Sequence, residues 1–127
     1  MADSSMGLHE AREDLTPATM DRHRGIASLV EELEAMDWYQ QRIDATIDPD
    51  LGAVLAHNRD EETEHAAMSL EWLRRQDPVL DEHLREYLFT QGSIVALEAE
   101  IEDGDGDGGG APSSDGSLGI GDLRGAR

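Results

Sequence analysis

The sequence predicts an all-α fold in which two long antiparallel helices are followed by a shorter third helix. Apolar residues recur at helical spacing on both sides of Asp48-Pro49. Asp-Pro pairs at 48–49 and 77–78 each end one helix and start the next, because the residue before proline disfavours the α region and aspartate caps the following helix. Two long helices joined by so short a turn must lie antiparallel.

The first helix is expected to begin at Thr16-Pro17, a capping residue followed by proline at the first helical position. Its apolar positions are Met20, Ile26, Leu29, Val30, Leu33, Met36, Ile43 and Ile47. The second helix is expected to run to about Gln76. One face of it forms a stripe, which we expect to point to the core: Leu51, Leu55, Asn58, Glu62, His65, Ser69 and Trp72.

The third helix is expected to start at Pro78 and to end at Gln91-Gly92, with glycine as the terminator. Ser93 to Glu102 is amphipathic and predicts either a last helical piece or a strand-like arm. Residues 1–15 show no sustained period and are expected to be disordered. The helical domain is thus predicted over 16–102, with a flexible linker at 103–116 and a tail at 117–127.

Composition restricts the function. A net charge of −19 argues against nucleic acid and anionic membranes and suits a protein that handles cations, although a halophilic host would give the same balance. There is no cysteine, so a metal would be held by oxygen and imidazole. No apolar run could span a bilayer, and a soluble cytoplasmic protein is expected. With two Trp, two Tyr and one Phe, the core is lean, which favours a partner chain.

The most informative pair is Glu62 and His65, one helical turn apart on the stripe. Glu-x-x-His from a bundle helix is how carboxylate-bridged di-metal sites are built. The alternative is a buried Glu–His ion pair at helical spacing, since a buried carboxylate and imidazole need a partner.

Glu32 lies at the edge of the first helix's apolar stripe and can approach the Glu62–His65 face. A di-iron bundle site takes a Glu from each of two helices and a Glu-x-x-His from each of two others, so this chain offers half a site. Two copies related by a two-fold axis would complete a four-helix bundle. Iron is favoured over zinc because a mixed carboxylate and imidazole shell leaves open positions for dioxygen. Glu31 and Glu34 point away from Glu32, towards the flank that carries Trp38, and a solvated acidic face is the favoured interpretation of these two residues.

The other histidines carry weaker signals. His57, eight residues before His65, could support the site or be structural. His23 and His83 are expected at the surface, and His9 in the disordered start.

Apolar residues occur again in the tail, after a Gly/Asp-rich linker. Asp103 to Gly108 matches the opening of an EF-hand loop, but the twelfth position, where a bidentate Glu is needed, is Ser114. Leu118, Ile120 and Leu123 would have a use only in binding a partner; a terminus without function is the alternative.

Several blocks together resemble the encapsulated ferritins, cargo of bacterial encapsulin nanocompartments. The likeness spans roughly Met20 to Ile101. Its blocks are Arg22-His23-Arg24, Glu31 to Tyr39 (EELEAMDWY), Leu55 to Arg75, Glu82 to Arg85 and Tyr87 to Thr90. The resemblance implies a ferritin-like half-bundle.

In that family the ferroxidase ligands match Glu32, Glu62 and His65 here. The resemblance also implies an outer entry site for iron, calcium or other divalent ions at Glu31 and Glu34. Trp38, Tyr39 and His57 would gate or support the centre, Trp38 lying between entry and active site.

The resemblance further implies a homo-oligomeric ring of dimers, expected to be a decamer, with a di-iron centre at one dimer interface. Ser117 to Leu123 resembles an encapsulin-targeting peptide. The expected function is a ferroxidase that serves iron storage and homeostasis inside an encapsulin shell. Its rivals are a non-enzymatic, metal-binding encapsulin adaptor and a calcium- or manganese-binding structural bundle.

Overall fold

A computed structural model describes residues 7–106 of the 127-residue chain. Within that range a short 3-10 turn and four α-helices follow one another, with no strand. The turn is Arg12–Asp14, and the helices are α1 (Pro17–Ala45), α2 (Pro49–Gln76), α3 (Pro78–Tyr87) and α4 (Ile94–Gly106). The predicted all-α fold is confirmed.

The predicted helix starts are capped by side chains. Thr16 accepts a hydrogen bond from a first-turn backbone N–H at 3.1 Å, Asp48 does so at 2.9 Å and Asp77 at 3.0 Å. In each case proline follows at the first helical position, where its missing N–H leaves no partner unsatisfied. These caps fix where α1, α2 and α3 begin.

Helices α1 and α2 pack against each other as an antiparallel hairpin. Gly25, near the start of α1, lies against Trp72, near the end of α2. Further along α1, Gln40 accepts a 2.9 Å hydrogen bond from Arg59, which comes earlier in α2. The paired positions therefore rise along one helix as they fall along the other, as the short Asp48-Pro49 turn requires.

The buried side chains of the hairpin are small in number and mostly small in size: Met20, Ala27, Ala66 and Leu73. Ala66 and Leu73 each come one residue after a member of the predicted α2 stripe. One residue is about 100° around an α-helix. The predicted stripe therefore faces α1 only in part: its Trp72 lies against Gly25 of α1, whereas its Leu51 stays exposed in the single chain.

Large apolar side chains remain exposed on the hairpin. They are Ile26, Leu33, Trp38, Ile47, Leu51, Val54, Met68 and Trp72. Such side chains would mark an interaction site if a partner covered several of them together. The lean core expected from the composition is present, and the completion of a four-helix bundle by a second copy stays a prediction.

The chain divides into two compact units at Asp77, so α3 and α4 belong to a second unit. Helix α3 ends at Tyr87, before the predicted Gln91-Gly92. Phe89 has a left-handed backbone with φ of 65°, and Thr90 Oγ1 donates a 2.7 Å hydrogen bond to the Tyr87 carbonyl. That hydroxyl satisfies one of the carbonyls at the helix end, so the helix closes before the glycine is reached.

For Ser93 to Glu102 the sequence allowed either a helix or a strand-like arm, and the structure has a helix there, α4. Ser93 Oγ accepts a 3.1 Å hydrogen bond from the N–H of Ala96 and caps it. The helix runs through Gly106, past the predicted boundary at 102. A formed helix adds each further residue at low cost, so weak helix formers can join its end.

The phenol of Tyr87, the last residue of α3, is harder to ionise than a free tyrosine. Its pKa is raised first by burial and then by the negative charges of Glu98, Glu86 and Glu102.

Residues 12–14 form their 3-10 turn inside the segment expected to lack regular structure. Most of the predicted linker and all of the predicted tail, 117–127, lie outside the described residues. Within the described part of the chain, no helix combines the length and apolar character needed to cross a membrane.

The close approach at Gly25 predicts opposite effects for two Gly→Ala substitutions. A Cβ at Gly25 would lie 3.0 Å from Trp72 Cζ3, whereas one at Gly52 would meet only Thr46 Cγ2 at 3.8 Å. Alanine favours a helix by ~1 kcal/mol over glycine, and overpacking costs ~1–3 kcal/mol. We expect Gly25→Ala to lower the free energy of unfolding by about 1 kcal/mol and Gly52→Ala to raise it. Urea unfolding measures both; equal stabilisation by the two would contradict the packing described.

Candidate metal centre

Glu62 and His65 lie one turn apart on α2 without a hydrogen bond between them. Their Oε1 and Nδ1 atoms are 3.6 Å apart, beyond hydrogen-bond length. The Glu62 side chain is 30% exposed and that of His65 is 45% exposed. The alternative of a Glu–His ion pair stays open, because the two atoms lie within ion-pair distance when His65 is protonated, but neither side chain is fully buried in the single chain.

Glu32 is held from the neighbouring helix. Ser69 Oγ on α2 donates a 2.7 Å hydrogen bond to Glu32 Oε1 on α1. Ser69 is four residues after His65, so it belongs to the same face of α2 as the Glu62–His65 pair. The three predicted ligands thus border one side of the hairpin.

The antiparallel register nevertheless keeps the three ligands from forming a complete site in one chain. Glu32 is bonded at the level of Ser69, whereas Glu62 is seven residues earlier on α2, about 10 Å along the axis at ~1.5 Å per residue. Over residues 7–106, no three His, Asp or Glu side chains are grouped closely enough to hold a metal ion. Within this range, Glu32, Glu62 and His65 therefore do not converge on one point.

The predicted entry acids lie on another part of α1. Glu31 is exposed and Glu34 is half-buried. With Trp38 they share helical spacing of three and four residues, which puts all three on one face. Trp38 is also exposed, so this face is accessible in the single chain.

Tyr39 and His57 differ in their surroundings. Tyr39 is half-buried, and the Arg42 guanidinium lies 5.3 Å from its ring centroid, within cation–π range. His57 is exposed on α2. Among the described residues, His57 belongs to no group of His, Asp and Glu side chains that could hold a metal ion.

Glu71, two residues after Ser69, is engaged by cations. Its Oε2 lies 2.8 Å from Arg74 Nη2 and 2.7 Å from Arg75 Nε. Hydrogen bonds from these guanidinium groups lower the pKa of Glu71 to about 2. The carboxylate is already neutralised by its own helix, so Glu71 is a poor candidate for a metal ligand.

Sequence reasoning did not assign a role to Ser69. Ser69 was part of the predicted stripe, but its partner depends on the register of α1 against α2. No local pattern in the sequence encodes that register. The spacing of four residues from His65 was the one available signal.

The donor set itself suits iron. Carboxylate oxygens and an imidazole nitrogen bind Fe, and no thiolate is available.

A family model for EncFtn-like proteins matches residues 7–91, which is more than half of the chain. The chain belongs to the EncFtn-like family.

Relatives of this EncFtn-like chain agree with that assignment. It is 59% identical to an encapsulated ferritin-like protein of Rhodospirillum rubrum over 130 residues, 98% of this chain and 93% of that protein. It is 37% identical to the encapsulin nanocompartment cargo protein EncC of Myxococcus xanthus, over 73% of this chain and 76% of that protein. A crystal structure of a Nitrosomonas europaea protein, 57% identical, superposes with a TM-score of 0.68 over 69% of this chain and 97% of that one.

Proposed function

We propose that this chain is a ferroxidase that oxidises Fe(II) to Fe(III) at a di-iron centre formed between two copies. The observation that carries the proposal is the partly exposed Glu62–His65 pair, with Glu32 bonded to Ser69 on the same face of α2. Glu-x-x-His with a further Glu is the ligand set of one half of a carboxylate-bridged di-iron bundle. Membership of the EncFtn-like family supports iron handling.

In the proposed centre each copy supplies the same three ligands. Glu62 would be shared between the two ions, Glu32 would bind one of them and His65 would complete its ligands. A two-fold axis doubles the set, so each ion receives ligands of both kinds. The apolar side chains left exposed on the hairpin would then be covered by the second copy, which links metal binding to association.

Iron is the substrate in this reaction. Two Fe(II) ions lose one electron each, and dioxygen takes up the two electrons and two protons to give hydrogen peroxide. Peroxide as the oxidant would take up two electrons and two protons and give two waters. Anionic carboxylates stabilise Fe(III) more than Fe(II), because the interaction grows with the charge of the ion. The ligand set therefore favours oxidation, and further carboxylates can receive the product.

Glu31 and Glu34 are proposed to form an outer site that binds iron, calcium or other divalent ions before these ions reach the di-iron centre. Their exposed face carries Trp38, which would regulate passage from this station inward. Tyr39 and His57 would border the assembled centre.

The proposed setting is the interior of an encapsulin shell in the cytoplasm, where oxidised iron is stored as mineral. The relatives from R. rubrum and M. xanthus are named as encapsulated ferritin-like and encapsulin cargo proteins. The tail at 117–127, outside the described residues, would dock its apolar residues on the shell's inner wall. A ring of dimers, a decamer, would present several tails and multiply a weak contact.

Removal of any one ligand should abolish most of the activity. Because of the two-fold axis, Glu32→Ala, Glu62→Ala and His65→Ala each delete two ligands per centre. We expect at least a tenfold loss of the initial rate of Fe(III) absorbance after aerobic Fe(II) addition, with unchanged helix content by circular dichroism.

Glu64→Ala is the matched control for Glu62→Ala, since Glu64 is an exposed carboxylate on the same helix. It should keep the parental rate. Parental turnover by Glu62→Ala would rule out the proposed ligand set. A parental chain that binds Fe(II) without oxidising it would identify a non-enzymatic adaptor instead.

Fe(II) should drive association. A metal that binds only the assembled state stabilises it by mass action. Anaerobic Fe(II) is therefore expected to shift native mass spectra from monomers towards dimers and larger rings, and His65→Ala should weaken the shift. Spectra that do not respond to Fe(II) would argue against ligands shared between copies.

Removal of 117–127 should separate catalysis from encapsulation. The truncated chain keeps Glu32, Glu62 and His65, so its oxidation rate should match that of the full chain. Its co-purification with a co-expressed encapsulin shell should be lost. A tail with Leu118, Ile120 and Leu123 all replaced by Ser is the length-matched control and should also fail to load; equal loading of all three chains would remove the docking role.

A further inference from the structure

We propose that Ser69 is a positioning residue for Glu32, fixing one carboxylate oxygen so that the rest of the group is presented to the metal. This inference rests on the proposed function, because it assigns Ser69 a part in the same centre. Ser69 is not a ligand in this account; it acts through Glu32.

The geometry of the contact is that of a strong hydrogen bond. Ser69 Oγ lies 2.7 Å from Glu32 Oε1, and the bond joins two different helices across a partly buried position. Hydroxyl-to-carboxylate bonds at 2.5–2.7 Å are charge-assisted. A half-buried carboxylate is more restricted by such a bond than an exposed one, because less water competes for it.

The bond is also placed between two other contacts that fix the register. On one side Gly25 packs against Trp72, and on the other Arg59 donates to Gln40 at 2.9 Å. Sliding of α1 along α2 is opposed at both points. The position of Ser69 relative to Glu32 is therefore set by the hairpin before any metal arrives.

The lone pairs of Glu32 that do not accept the Ser69 hydrogen bond suit a cation. Each carboxylate has two oxygens with about four lone-pair sites. The serine hydroxyl occupies one site on Oε1 and leaves Oε2 available. A ligand that is already held in its binding orientation loses less conformational freedom when metal binds, so the affinity is higher.

The test compares metal binding with turnover. The full chain is titrated anaerobically with Co(II), a stand-in for Fe(II) that is observed through its visible absorption. Removing the partner of a metal ligand commonly lowers affinity or activity 10- to 100-fold. We expect the apparent Kd for Co(II) to rise about tenfold in Ser69→Ala and the KM for Fe(II) to rise with it, while kcat changes less than about twofold.

Two further variants separate positioning from packing. Ser69→Thr keeps the hydroxyl and should bind Co(II) within about threefold of the parental chain, well short of the loss expected when the partner is removed. Thr63→Val removes a hydroxyl from the same helix, one that donates to the backbone carbonyl of Arg59 at 2.8 Å, and should leave binding unchanged. Unfolding temperatures confirm that each variant is folded.

A double-mutant cycle gives the decisive comparison. In the Glu32→Ala background, Ser69→Ala should have no further effect, because its partner is gone. Parental or tighter Co(II) binding by Ser69→Ala would overturn the inference, as would an equal loss in both backgrounds. If Glu32→Ala itself bound Co(II) and oxidised Fe(II) normally, the proposed ligand set would fail instead.

Discussion

The close approach of α1 and α2 decides which side chains of the hairpin are buried. A Cβ at Gly25 of α1 would meet the Trp72 ring at 3.0 Å and Leu73 Cδ2 at 3.2 Å. The glycine therefore leaves the space that these two large side chains of α2 occupy. Ala27 and Ala66 are buried as well, whereas many other large apolar side chains of the hairpin stay exposed.

The single hairpin leaves two kinds of side chain accessible. Its surface carries large apolar side chains that one chain does not bury, and it also carries Glu62 and His65 partly exposed. Association with a second copy would bury apolar side chains and, under the proposed function, bring a second ligand set towards the first. Under the proposed function, assembly and metal binding are then one event, because neither the core nor the centre is complete in a single chain.

Local signals in the sequence predicted the elements well. The caps at Thr16, Asp48 and Asp77 placed three helix starts, because each depends only on a side chain and the next few backbone N–H groups. The spacing of Glu62 and His65 predicted that the two side chains share a face, for the same reason. What depends on neighbours along one helix could be deduced from the chain alone.

Features that depend on the packing of one element against another could not. The stripe of α2 was expected in the core, but the buried residues of α2 are Ala66 and Leu73, because the rotation of α2 about its own axis depends on how α1 packs against it. The bond from Ser69 to Glu32 required the register of the hairpin. The end of α3 at Tyr87 depended on the hydroxyl of Thr90, which competes with the glycine further on.

The proposal of a di-iron centre shared between two copies can be tested by anomalous diffraction at the iron edge, with crystals of the assembled protein grown with Fe(II). We expect two iron peaks on either side of a two-fold axis, each within ligand distance of Glu32, Glu62 and His65, with Glu62 bridging them. Iron found only at Glu31 and Glu34, or a complete iron site within one chain, would contradict the proposal.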